Sequence, residues 1–147
     1  MGNGLNMRTF VPMYERKIPV QLDCGLDLFR EVLNGKWKIA LLYYISQGIK
    51  RPGALQRNIP EATRRVLNMQ LNQLEEHELV TKEVFPQMPP KVEYSLTPLG
   101  ISLLPVILAM GNWADEHRGQ LQRVIAKADH LKVENTGVNT NPMRVAR

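Results

Sequence analysis

With 147 residues the chain has the length of one domain with appendages, and 44% apolar content fits a globular core. A single cysteine excludes an intrachain disulfide framework and a cysteine-cluster zinc site, and the three histidines lack metal-ligand spacing among themselves. The net charge of +5 favours a polyanionic partner only weakly, since the basic residues are scattered and a solvated basic surface fits equally well. No apolar run is long enough to span a bilayer. The start lacks the basic-then-apolar order of a signal peptide, so a cytoplasmic protein is expected, with no membrane partner.

In chain order, residues 1–22 read as an N-terminal arm, with Pro12 and Pro19 among Phe10, Val11, Met13, Tyr14 and Ile18. An arm this apolar suits a partner subunit. Leu26, Phe29, Val32 and Leu33 then mark one helical face, ended by Asn34-Gly35. Trp37, Ala40, Leu41, Tyr44 and Ile45 predict a second, amphipathic helix with Gly48 at its C-terminal cap. A short helical segment over Pro52–Asn58 stops at Pro60, and a strong helical run follows from Thr63, its N-cap, to His77.

The period then changes. Residues 79–85 and 91–96 are rich in β-branched and aromatic side chains, and the loop between them carries Pro86, Pro89 and Pro90, so a hairpin is predicted. Thr97-Pro98 opens a long C-terminal helix that runs to about Leu131, loosened by a turn at Pro105. Residues 132–147 read as a disordered tail. The fold expected for 23–131 is α+β and mainly helical: a winged helix-turn-helix with a two-stranded β-wing and a long C-terminal dimerisation helix.

The third long helix carries the functional signal. At about 100° per residue, Val66, Leu67, Gln70, Leu71 and Leu74 share one side. The opposite side shows Arg65, Asn68, Met69, Asn72 and Gln73, with Arg64 at the N-terminal end. Arg, Asn and Gln present the donor and acceptor pairs that match guanine and adenine edges in a major groove. Glu75, Glu76 and Glu78 gather at the other end, away from where phosphates would lie. Taken alone this helix reads as an ordinary solvated face; between a short helix and a hairpin it reads as a recognition helix. Lys82 and Lys91 add wing cations for phosphate or minor groove, against the alternative of edge-strand lysines that discourage aggregation.

The motifs then become specific. Gly35-Lys36-Trp37, Val66-Leu67, Gln70-Leu71-x-x-Leu74-Glu75 and the long Pro89-Pro90-Lys91-Val92-Glu93-Tyr94-Ser95-Leu96-Thr97-x-x-Gly100 resemble the HxlR-type regulators, a branch of the MarR-like winged-helix proteins. The resemblance covers about Cys24 to Trp113. It implies a homodimeric transcription regulator that binds double-stranded DNA at an inverted repeat, with Arg51 as a phosphate contact. The chain departs from that pattern where Arg51-Pro52-Gly53-Ala54-Leu55 lacks the usual aromatic residue, where Thr63-Arg64 replaces Ser-Pro, and where Cys24-Gly25 replaces Cys-Pro.

The DNA-binding residues expected are Arg51, Thr63, Arg64, Arg65, Asn68, Met69, Asn72, Gln73, Lys82 and Lys91. Dimerisation falls to Leu103, Ile107, Met110 and Trp113, on a helix apolar on more than one face that a single winged-helix domain cannot cover. Cys24 has two readings: a redox sensor in the first turn of a helix capped by Asp23, or a small packed hydrophobe. A small-molecule or electrophile effector is a further candidate partner. No cofactor, metal or catalytic group is expected, because no phosphate loop, nucleophile triad or glycine-rich cofactor motif is present. The alternative function is a winged helix that binds another protein rather than DNA.

Overall fold

The computed structural model describes residues 22–129. The reading of 1–22 as an arm, Leu22 excepted, that of 132–147 as a tail and the helix end expected at about Leu131 fall outside the described residues. The chain divides into two units between Glu31 and Val32. In the first, Cys24 precedes α1 (Gly25–Leu33) and its carbonyl accepts the amides of Asp27 at 3.0 Å and Leu28 at 3.1 Å. Cys24 therefore occupies the cap position, one residue before the first turn where it was expected.

The second unit holds α2 (Lys38–Ser46), α3 (Pro52–Asn58), α4 (Arg64–Glu76), β1 (Val80–Phe85), β2 (Lys91–Leu96), α5 (Pro98–Glu116) and α6 (Arg118–Asp129). Mainly helical with one antiparallel two-stranded sheet, this is the expected winged helix-turn-helix. Helix α2 is the central strut and packs against α4, β2 and α5. Its expected single stripe is too narrow a description: Lys38 and Leu42 are buried with Ala40, Leu41, Tyr44 and Ile45. The Lys38 ammonium donates to the Val32 carbonyl at 3.3 Å. Gly48 (φ 86°) ends α2, with its amide on Ile45 and that of Ile49 on Tyr44, the paired bonds of a Schellman cap.

Leu55, Leu67, Leu71 and Leu74 bury α3 against α4 and α4 against α2, and Leu79, Val80 and Tyr94 seal the root of the hairpin. The register runs from Val80 opposite Leu96 to Phe85 opposite Lys91. Both threonine caps form: the Thr63 hydroxyl accepts from the Val66 amide at 3.2 Å and that of Thr97 from the Gly100 amide at 3.0 Å. Glu78, just after α4, adopts a left-handed φ of 58°, a conformation costly outside glycine.

The long C-terminal helix is two helices. It passes unbroken through Pro105 and ends at Glu116. His117 (φ −104°, ψ 12°) makes the break: its ring stacks on Trp113 with centroids 5.0 Å apart, and its Nδ1 lies 2.8 Å from the Trp113 carbonyl. Arg118 pairs with Asp115 across the junction. Among the described residues, no helix is long and apolar enough to cross a membrane, and no cluster of His, Cys, Asp and Glu suits a metal ion.

Candidate nucleic-acid interface

The buried flank of α4 is Leu67, Gln70, Leu71 and Leu74, so its polar residues divide by angle around the exposed flank. Arg64, Asn68 and Asn72 turn toward the hairpin. There they line a polar groove of about 490 Å³ with Arg51 and Pro52 at the start of α3, Lys82, Val92 and Tyr94 on the strands, and Gln87, Pro89, Pro90 and Lys91 on the wing. Six of the ten expected DNA-binding residues thus share one groove. Arg65 and Met69 stand on the outer crest of α4 and Gln73 is half-buried on its far flank; none of the three lines the groove. Thr63 is committed to the cap of α4.

The Arg64 guanidinium lies beside Gly53. A methyl group there would lie 3.7 Å from Arg64 Nη1 and 3.9 Å from Arg57 Nη1, so two guanidinium groups converge on a residue without a side chain. Tyr94 floors the groove: burial, with Glu75 adding to it, pushes its phenol pKa up, while Arg64 pulls it the other way.

The two wing lysines are not equivalent. Strand alternation puts Lys82 on the face of its register partner Tyr94, and Lys91, Glu93 and Phe85 on the other. Lys91 Nζ bonds Glu93 Oε1 at 3.0 Å and sits 4.7 Å from the centre of the Phe85 ring. Arg51 Nε approaches the same carboxylate oxygen at 3.7 Å. The hydrogen bond from Lys91, with the charges of Arg51 and Lys50 adding to it, holds the Glu93 carboxyl below its ordinary range. Glu93 escaped the sequence reading although Lys91 and Glu93, two apart on a strand, had to share a face.

Gln70 is the other residue the sequence reading left without a role. It is 5% exposed, and its Oε1 accepts the Trp37 amide at 2.9 Å, which ties the start of α2 to the recognition helix. A polar residue inside an apolar stripe was the available signal. Trp37 itself is half-buried, with the Lys36 ammonium 4.8 Å from its ring centre.

The expectation that four dimer residues lack cover is corrected for Ile107, which is buried inside the unit at 5% exposure; Leu103 is half-buried. The uncovered ridge of α5 is Leu99, Val106, Met110 and Trp113, between 36% and 56% exposed. Behind it, α2, α5 and α6 enclose a largely apolar cleft of about 390 Å³ lined by Ile39, Tyr43, Leu108, Leu121 and Ile125, among others. In the first unit, Cys24 is exposed, and bonds from the amides of Leu26 and Asp27 lower its thiol pKa.

Residues 32–122 match the model of the HxlR-like helix-turn-helix family. The HTH-type transcriptional regulator YdeP of Bacillus subtilis (strain 168) is 39% identical over 103 residues, 70% of this chain and 80% of that one. Among solved structures, the reduced form of the redox regulator HypR superposes with a TM-score of 0.65 at 40% identity, covering 68% of this chain and 99% of HypR. The reduced form of the transcriptional regulator YodB from B. subtilis gives a TM-score of 0.56 at 31% identity, covering 63% of this chain and 92% of YodB.

Proposed function

This chain belongs to the HxlR-like helix-turn-helix family of transcriptional regulators, and from that premise we propose that it binds duplex DNA as a homodimer. Helix α4 enters the major groove and the wing follows the backbone or minor groove. The observation that carries this reading is the convergence of Arg51, Arg64, Asn68, Asn72, Lys82 and Lys91 on one polar groove between α4 and the wing. In this reading Arg65 and Met69, on the crest of α4, meet base edges, and Arg51, Lys82 and Lys91 meet phosphates. A salt titration of duplex binding tests the reading. Counterion release from several neutralised phosphates gives a steep loss of affinity with salt. A flat response, with capture of a protein partner through α4, would instead establish the protein-interaction module.

The ridge Leu99, Val106, Met110 and Trp113 supports the dimer, because apolar residues at this spacing on one helix need cover. Sedimentation at micromolar concentration should give twice the chain mass, and such a dimer prefers an inverted repeat with half-sites about one helical turn apart, or a multiple. Oxidant sensing at Cys24 is supported by its exposure, by the amides that lower its pKa and by the likeness to HypR, a redox regulator. With one cysteine per chain, a disulfide joins two subunits or captures a small thiol. The apolar cleft between α2, α5 and α6 is the place for a small-molecule effector.

A further inference from the structure

Two cations beside the candidate interface share one carboxylate. Lys91 Nζ lies 3.0 Å and Arg51 Nε 3.7 Å from the same oxygen of Glu93. The three residues come from two separate parts of the chain: Arg51 caps α3, while Lys91 and Glu93 lie on β2. A backbone bond from the Tyr94 amide to the Lys50 carbonyl, 2.9 Å, holds those parts side by side. Lys91 is further held over the Phe85 ring. Its ammonium thus has a second partner besides Glu93.

A carboxylate beside residues that approach phosphate works against binding, and it contributes little to folding as a partly exposed ion pair. We propose that Glu93 is a specificity-determining residue that holds the joint contribution of Arg51 and Lys91 to phosphate binding at one net charge. This rests on the DNA-binding reading above. Phosphate affinity is blind to sequence, so a regulator that restrains it relies more on the base contacts of α4 to choose its site. The opposite strand suits this role as well, since the register partner of Glu93 across the hairpin is the exposed Glu83 rather than a further cation.

The test is Glu93→Gln, which keeps the shape and an accepting oxygen for Lys91 but removes the charge. Binding of the full chain to a short duplex of random sequence is measured over a range of salt concentrations, with Glu83→Gln as the control. Glu83→Gln removes an equal charge from the residue directly opposite Glu93 but leaves the ion pairs of Glu93 with Arg51 and Lys91 in place. Circular dichroism confirms that both variants are folded. Glu93→Gln should bind several-fold more tightly and steepen the salt slope by roughly one unit per subunit, with Glu83→Gln close to wild type. Equal gains in the two variants would reduce the effect to net charge and overturn the proposal. Weaker binding or a shallower slope in Glu93→Gln would overturn its sign and make Glu93 a residue that orients the cations onto phosphate. Wild-type protein that shows no salt-dependent duplex binding removes the DNA reading and this inference together; normal wild-type binding with an unchanged variant removes the inference alone.

Discussion

Gly100→Ala probes the joint at which α5, the hairpin and the recognition helix meet. A Cβ on Gly100 would lie 2.2 Å from the Leu79 carbonyl oxygen and 3.2 Å from its carbon, where real contacts stay above 3.0 Å. The oxygen is a main-chain atom already held by the Thr97 amide at 3.1 Å, so it cannot swing aside. Helix and strand must part by 3.0 less 2.2 Å, about 0.8 Å. Overpacking of this kind costs about 1–3 kcal/mol, and a backbone clash belongs at the upper end or beyond. Alanine returns about 1 kcal/mol in helix propensity, which leaves a net loss of about 2 kcal/mol or more. At roughly 3–4 °C per kcal/mol for a chain of this length, a loss of about 2 kcal/mol lowers Tm by about 6–8 °C. Gly111 lies in the same helix and a Cβ there meets nothing within 4 Å, so Gly111→Ala should instead gain up to about 1 kcal/mol. Urea denaturation followed by tryptophan fluorescence measures both at one protein concentration, since a dimer's stability depends on it. Equal effects of the two substitutions, or a stabilised Gly100→Ala, would refute the close approach of α5 to Leu79.

Gln70→Leu removes the acceptor of the Trp37 amide while keeping the side-chain volume, and should cost about 1–3 kcal/mol in urea denaturation. Alkylation of Cys24 should reach half its maximal rate at a pH below that of free cysteine, because the amides of Leu26 and Asp27 favour the thiolate; a midpoint at or above the free value contradicts this. Mild oxidant should weaken duplex binding by the wild type and leave Cys24→Ser unaffected. Arg65→Ala should cost on the order of 1–3 kcal/mol at the best site selected from a random pool and relax preference at one base position. Lys91→Ala should weaken all sequences alike and lower the salt slope by at most about one unit per subunit.

The local features of this fold were legible because each is written in a few neighbouring residues. Thr63 and Thr97 cap the helices they precede, Gly48 takes the left-handed position that ends α2, and alternation along 91–96 placed the hairpin. What escaped reading depends on partners far along the chain. Lys38 is buried because α2 is covered from several sides, which no stripe on α2 itself can reveal. Arg51 and Glu93 meet only because Tyr94 pairs with Lys50. Within the expected interface, helical angle separated the polar flank of α4 from its buried one. The further division, with Arg64, Asn68 and Asn72 toward the wing and Arg65 and Met69 on the crest, needed the position of the hairpin. The single helix expected after Thr97 failed for a side-chain reason: His117 stacks on Trp113 and approaches its carbonyl, a combination that helical periodicity does not encode.

The joint at Leu79 also links the two halves of the functional proposal. Recognition helix α4 ends at Glu76, and Glu78 turns the chain into β1 with a left-handed φ. Thr97 then fastens α5 to that turn twice, through its hydroxyl to the Glu78 carbonyl at 2.5 Å and its amide to the Leu79 carbonyl at 3.1 Å. Gly100 lets α5 approach Leu79 one turn later. The helix that bears the uncovered ridge is thus pinned by hydrogen bonds and a close backbone contact to the end of the helix that bears Arg65 and Asn68. In a dimer built on that ridge, the separation of the two recognition helices follows from this joint rather than from the long hairpin. DNA half-site spacing should therefore respond to substitutions at Thr97 and Gly100, and substitutions in the wing loop at 86–90 should change affinity while leaving the spacing as it is.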